Sequence, residues 1–143
     1  MRSISMILVF LFMATAAFAQ SAMLAIKLAE KPVATVEDAV TLFMLSTDGK
    51  SEGYAKDAEA LHAKGILPKV YDPDTPCTMG ILAYMIAKQK NIKHSLMFNI
   101  FKSQRYAVFA CIAAGYLPSN AGEHNKLSGV ELLEVMGRFG GAE

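Results

Sequence analysis

Residues Lys64–Met85 read KGILPKVYDPDTPCTMGILAYM, and the punctuation of this stretch decides how the rest of the chain is parsed. Gly65 suits the left-handed closure of a helix ending at Lys64, with Ile66 packing back on the last turn, and Pro68 forbids continuation. The run KVYDPDTP that follows is rich in turn formers. At Thr78 an apolar run restarts, and a threonine hydroxyl there can accept from the free amides of a first helical turn.

The same order of signals returns further on. Sliding the chain over itself by fifty residues aligns Ala60, Ala63, Gly65, Leu67, Pro68 and Leu82 with Ala110, Ala113, Gly115, Leu117, Pro118 and Leu132 without a gap, and sets Thr78 on Ser128. A fixed period identifies the structural unit, here helix, glycine stop, polar loop and capped helix. In the second copy Ser128 and Glu131 have the spacing of a capping box; the first copy keeps the cap at Thr78 and has Ile81 in place of the carboxylate. Cys77 and Leu127 precede the caps, and Leu82 and Leu132 follow five residues on, the positions of a hydrophobic staple.

Further helix starts fill in the rest. Thr35 is followed by Glu37 and Asp38, acids that suit a positive helix N-terminus, and Val36, Val40, Phe43 and Met44 mark one helical face. Ser51-Glu52-Gly53-Tyr54 and Ser103-Gln104-Arg105-Tyr106 share a pattern and open the helices that close at Gly65 and Gly115. The reading is an all-α fold, a small bundle of repeated helical hairpins with two copies of the unit and five helices, over 35–46, 52–64, 78–90, 103–114 and 128–138. The apolar cluster in NIKHSLMFNIFK, within residues 91–102, fits a short helix or an extended segment equally well.

With 143 residues and 53% hydrophobic content, one domain with one core is expected. The opening MRSISMILVFLFMATAAFAQ has a positive start at Arg2, an apolar run from Met6 to Met13 and the small pair Ala17 and Ala19. These are the features of a secretory signal peptide over residues 1–19, and the apolar run falls short of the roughly 20 residues that span a bilayer. A lead segment over 20–34 and a helical repeat domain over 35–139 follow, with no transmembrane anchor expected after cleavage. Charge is unevenly spread: residues 20–74 carry six basic and nine acidic side chains, residues 75–122 five basic and none acidic.

In its residues the repeat resembles the S-layer homology domain, a helical module of bacterial envelope proteins. The likeness lies in helices ending AKGIL and AAGYL, a polar loop, and a threonine or serine opening the next helix, and it covers Thr35 to Phe139. It implies a compact bundle of helical hairpins, an address in the bacterial envelope or periplasm, and binding to anionic polysaccharide of the cell wall. That family opens its capped helix with Thr-Arg-Ala-Glu. Thr78 and Ser128 match the threonine and Glu131 the glutamate, whereas Met79 and Gly129 stand at the arginine position, and the chain has no tryptophan.

Most candidate chemistry has a plainer structural reading. Asp48 to Glu59 spaces a glycine and a glutamate as a calcium loop does, but Lys50 sits where an oxygen ligand belongs. His62, His94 and His124 lie in separate segments without the converging donors of a zinc site, so no metal or cofactor is expected. Asp72 and Asp74 sit in a proline-flanked turn, and the methionines after the leader are spread singly, as core filler is. Cys77 and Cys111 occupy apolar slots, and export permits a disulfide between them that would stabilise by about 2–4 kcal/mol. No arrangement of nucleophile, acid or base stands out, and a non-enzymatic protein is expected.

The feature with binding content is the basic stretch of Lys88, Lys90, Lys93, Lys102 and Arg105, with Phe98, Phe101 and Tyr106 among them. Clustered cations attract polyanions, and salt weakens the contact. Nucleic acid is an odd ligand for an exported chain, which leaves an anionic wall or outer-membrane polymer, or else an envelope protein bound by an adaptor module.

Overall fold

The structure is a computed structural model that describes residues 21–92 and 96–141. The leader over 1–19, Lys93 and His94 lie outside the described residues. Among the described residues the protein is all-α: a helical lead over 21–29 (α1) is followed by α2 (Val36–Thr47), α3 (Tyr54–Ala63), α4 (Met79–Gln89), α5 (Leu96–Phe101), α6 (Gln104–Ala113) and α7 (Gly129–Gly141). The segment that fits helix and extended chain equally well in sequence thus contains a short helix, α5, and α7 runs past the expected 138 to Gly141.

The glycine stops behave as the repeat requires. Gly65 and Gly115 have φ of 73° and 86°, the left-handed region where a side chain is strained. In each, the glycine amide donates to the carbonyl three residues back, His62 or Ile112, and the next amide, Ile66 or Tyr116, reaches Leu61 or Cys111 at 2.9 Å. This paired closure satisfies the orphan carbonyls of the last turn. Asn91, at φ 48°, closes α4 in the same way through Ile92 and Ala87. Asparagine tolerates that conformation better than other side chains.

Caps form at Thr35, Thr78, Ser103 and Ser128, each hydroxyl accepting from the amide three residues on. Ser128 and Glu131 make the expected capping box, and Thr35 makes one with Asp38. Ser51 corrects the parallel with Ser103. Gly53, at φ 99°, takes the position before α3 and offers no side chain, while the Ser51 hydroxyl and the Glu52 amide both donate to the buried carboxylate of Asp57. That pairing compensates the burial of Asp57.

Beside the two copies of the repeated unit stands a third capped start, at Thr35, and the chain closes as a ring of three. The residues just before the three main caps, Ala34, Cys77 and Leu127, are wholly buried and hydrogen-bonded in a cycle. Ala34 donates to Leu127 at 2.8 Å, Leu127 to Cys77 at 3.0 Å, and Cys77 to Ala34 at 2.8 Å. One residue past each cap, the first helical amide is satisfied by the segment leading into another cap: Val36 donates to Thr75, Met79 to Asn125, and Gly129 to Lys31. The N-termini of α2, α4 and α7 are therefore completed by one another. Side chains from all three, with Phe43 of α2 stacked on Phe139 of α7 at 5.3 Å, form one core.

Candidate functional site

The structure divides the basic stretch. Lys88 and Lys102 flank one aromatic pair, the Lys88 ammonium 5.7 Å from the Tyr84 ring, Tyr84 edge-on to Phe98 at 5.9 Å, and the Lys102 ammonium 5.5 Å from Phe98. Lys90 is separated from them. Two residues on from Lys88 it points round the helix, and its ammonium lies 4.9 Å over Phe139 of α7. Lys90 thus reaches α7 through Phe139 and leaves the candidate face, while Lys93 lies outside the described residues.

At the start of α6 a second aromatic row continues the face. Phe101 stacks on Tyr106 at 5.4 Å, Tyr106 meets Phe109 at 6.3 Å, and the Arg105 guanidinium lies 5.9 Å over Phe109. Cations held over rings in this way gain from the ring quadrupole and keep their heads exposed. The Ser103 hydroxyl caps the helix and so fixes where Arg105 and Tyr106 point. Phe109 lies beyond the basic stretch as read in sequence, although its spacing of three from Tyr106 and four from Arg105 is the signal that would have found it.

Beside this row lies a shallow depression of about 290 Å³ lined by Arg105, Phe109, Glu123 and His124. A larger open groove, about 490 Å³, lies between α7 and the loop before it, with Lys126, Glu131, Glu134 and Arg138 on its walls. Glu134 and Arg138 pair across one turn at 3.2 Å. His124 stands 3.5 Å from Glu123, and the Nδ1 of His62 lies 3.0 Å from the Leu67 carbonyl. Among the described residues no three His, Cys, Asp or Glu side chains converge to hold a metal ion, and no helix is long and apolar enough to cross a membrane.

The remaining candidates are structural. Thr35, Thr78, Ser128 and Glu131 serve as caps, and Gly65 and Gly115 as stops. The two positions that match the S-layer homology arginine, Met79 and Gly129, are buried at the ring seam, with Met79 also lining the groove beside α7. The disulfide permitted by the sequence is not formed: Cys77 and Cys111 are free, buried thiols. Cys77 sits in the ring of three and Cys111 contacts the Ala83 carbonyl of α4 at 3.4 Å, so each fills its own apolar slot. Burial pushes both thiols up to about 12, which keeps them protonated and inert as nucleophiles.

Two tyrosines tie the first loop to the rest of the molecule. The Tyr54 hydroxyl donates to the Tyr71 carbonyl, and the Gln104 amide donates to the Tyr71 hydroxyl at 3.2 Å. Burial pushes the ionisation of both phenols above its ordinary value, so they remain neutral. Across the ring, the Asp38 carboxylate receives Lys31 at 2.8 Å together with the Thr35 amide and hydroxyl. Burial alone would raise Asp38, but these donors outweigh it and hold the carboxyl below its ordinary range.

Compared with known proteins, this chain matches no family model, no curated protein and no solved structure.

Proposed function

We propose that this protein is a non-catalytic, exported helical module that associates with the cell envelope by holding anionic wall or outer-membrane polymer on the face formed by α5, the start of α6 and the last turn of α4. The observation that carries this reading is the pairing of Lys88, Lys102 and Arg105 with aromatic rings along that face, in a stretch from Thr75 to Gly122 that has no acidic residue. Cations that outnumber carboxylates along the face, where Glu123 stands beside Arg105, present a field that draws polyanions, and ring faces add stacking area. The likeness of the caps and glycine stops to the S-layer homology module supports the same address.

Purified protein sedimented with washed, protein-free envelope polymer across a salt series tests the reading. Pelleting should fall with rising salt and be lost in a Lys88→Glu/Lys102→Glu/Arg105→Glu variant, whereas Lys90→Glu should pellet as the parent does. Equal pelleting of the triple variant would remove the face from consideration.

A second reading, an envelope adaptor, has its own support in the groove beside α7. Its walls carry both signs of charge, Lys126 and Arg138 with Glu131 and Glu134, a pattern suited to a polypeptide partner more than to a uniform polyanion. Cross-linking that captures one defined protein, lost on Arg138→Glu and kept in the triple variant, would favour it.

A further inference from the structure

The proposed contact face carries more apolar surface than a soluble polyanion needs. Ile100, Phe101 and Phe109 are 61%, 58% and 51% exposed, while most other large apolar side chains of α4 and α6 are buried. Single exposed hydrophobics are ordinary. Phe101 and Phe109 are grouped through Tyr106, and Ile100 precedes Phe101 at the end of α5. Lys102 and Arg105 stand within the same corner, each over a ring. Glu123 lines the shallow depression together with Arg105, its carboxylate 3.5 Å from His124, and Thr75 to Gly122 supplies no carboxylate.

Aliphatic and aromatic side chains that protrude between cations match the boundary of a bilayer, where rings sit at headgroup depth and ammonium or guanidinium groups meet phosphate. A polymer chain in water would satisfy Lys102 and Arg105 and leave Ile100, Phe101 and Phe109 wet. We propose that the α5–α6 corner is a membrane-surface anchor whose partner is a lipid bilayer bearing anionic headgroups. This inference rests on reading the same face as the envelope contact and moves its partner from an envelope polymer to the anionic lipid surface of the envelope. The apolar side chains seat in the headgroup boundary, and the cations select the negative leaflet.

The test is flotation of the purified protein with vesicles of phosphatidylcholine alone and of equimolar phosphatidylcholine and phosphatidylglycerol. Binding is expected to the anionic vesicles only, weakened about fivefold by loss of each cation in Lys102→Gln and Arg105→Gln. It should weaken about tenfold in Phe101→Ser and again in Phe109→Ser, with thermal melting confirming that these surface variants fold. Equal binding to both vesicles, or none to either while washed polymer still pellets the protein, would overturn the lipid partner and leave the polymer reading in place. Failure of both assays would remove the face altogether. A sedimentation mass that drops from dimer to monomer in Phe101→Ser, with vesicle binding unchanged, would show the patch to be an interface between copies and would also overturn the inference.

Discussion

The carbonyl of Leu28 lies so close to Gly129 that a β-carbon at position 129 would overlap it. This contact is where the ring of three closes. Gly129 opens α7, its amide donates to Lys31 at 3.0 Å, and the end of α1 takes the place that a polar loop takes in front of α4 and α7.

Gly129→Ala must push α1 off the ring or distort the first turn of α7, and overpacking of that kind costs about 1–3 kcal/mol. Gly137, exposed on the same helix with open space where a β-carbon would stand, is the control. Gly137→Ala should stabilise by about 0.5–1 kcal/mol through helix propensity. Urea denaturation of the two variants should move in opposite directions from the parent, and an unchanged midpoint in Gly129→Ala would mean that Leu28 does not seat there.

The two glycine stops should respond alike. Alanine at Gly65 or Gly115 must adopt φ of 73° or 86°, at a cost of about 1–2 kcal/mol each, and asparagine should recover part of the loss. Thermal melts of Gly65→Ala, Gly115→Ala and the corresponding asparagine variants measure this. A large loss at one site and none at the other would deny the equivalence of the copies.

Asp38 makes stability depend on pH with a definite sign. Its folded carboxyl ionises below the unfolded value, so its contribution is present above about pH 4 and is lost as pH falls through the lower, folded value. Asp38→Asn should be about 1–2 kcal/mol less stable than the parent near neutral pH, where the parent keeps both capping box and Lys31 pair. That gap should narrow on acidification. Urea melts of both proteins at about pH 7 and about pH 3 decide the point, and a gap that widened in acid would contradict the assignment.

With both thiols buried and pushed up to about 12, a disulfide-exchange reagent at mildly alkaline pH should label neither Cys77 nor Cys111 in the native protein and both after unfolding. Rapid labelling of the folded protein would show that the ring around Cys77 opens.

Much of the architecture was legible because its signals are local. Gly65 and Gly115, each followed by two apolar residues and a proline, mark helix ends wherever they occur. Thr35, Thr78 and Ser128 mark starts for the same reason: the hydroxyl reaches an amide only three residues away. The candidate face was legible in part. Lys102, Arg105 and Tyr106 are close in sequence and remain close in space, but Lys88 and Lys90 are set apart by the helix itself, and Lys90 finds Phe139 nearly fifty residues away. A charge count along the chain has no access to that division.

Sequence alone determined the five helices marked by a stop or a cap and how the third amide of each capped helix is satisfied, since stop and cap act within a single turn. The helices α1 and α5, which carry neither signal, were settled by the fold. Where the first amides find their acceptors was decided only by the tertiary structure. Val36, Met79 and Gly129 donate to Thr75, Asn125 and Lys31, carbonyls between 39 and 98 residues distant, and those partners exist only once Ala34, Cys77 and Leu127 have closed their ring. Hydrogen bonds across such separations carry no local signature, because any backbone carbonyl can serve as acceptor and only the packed core selects which one arrives.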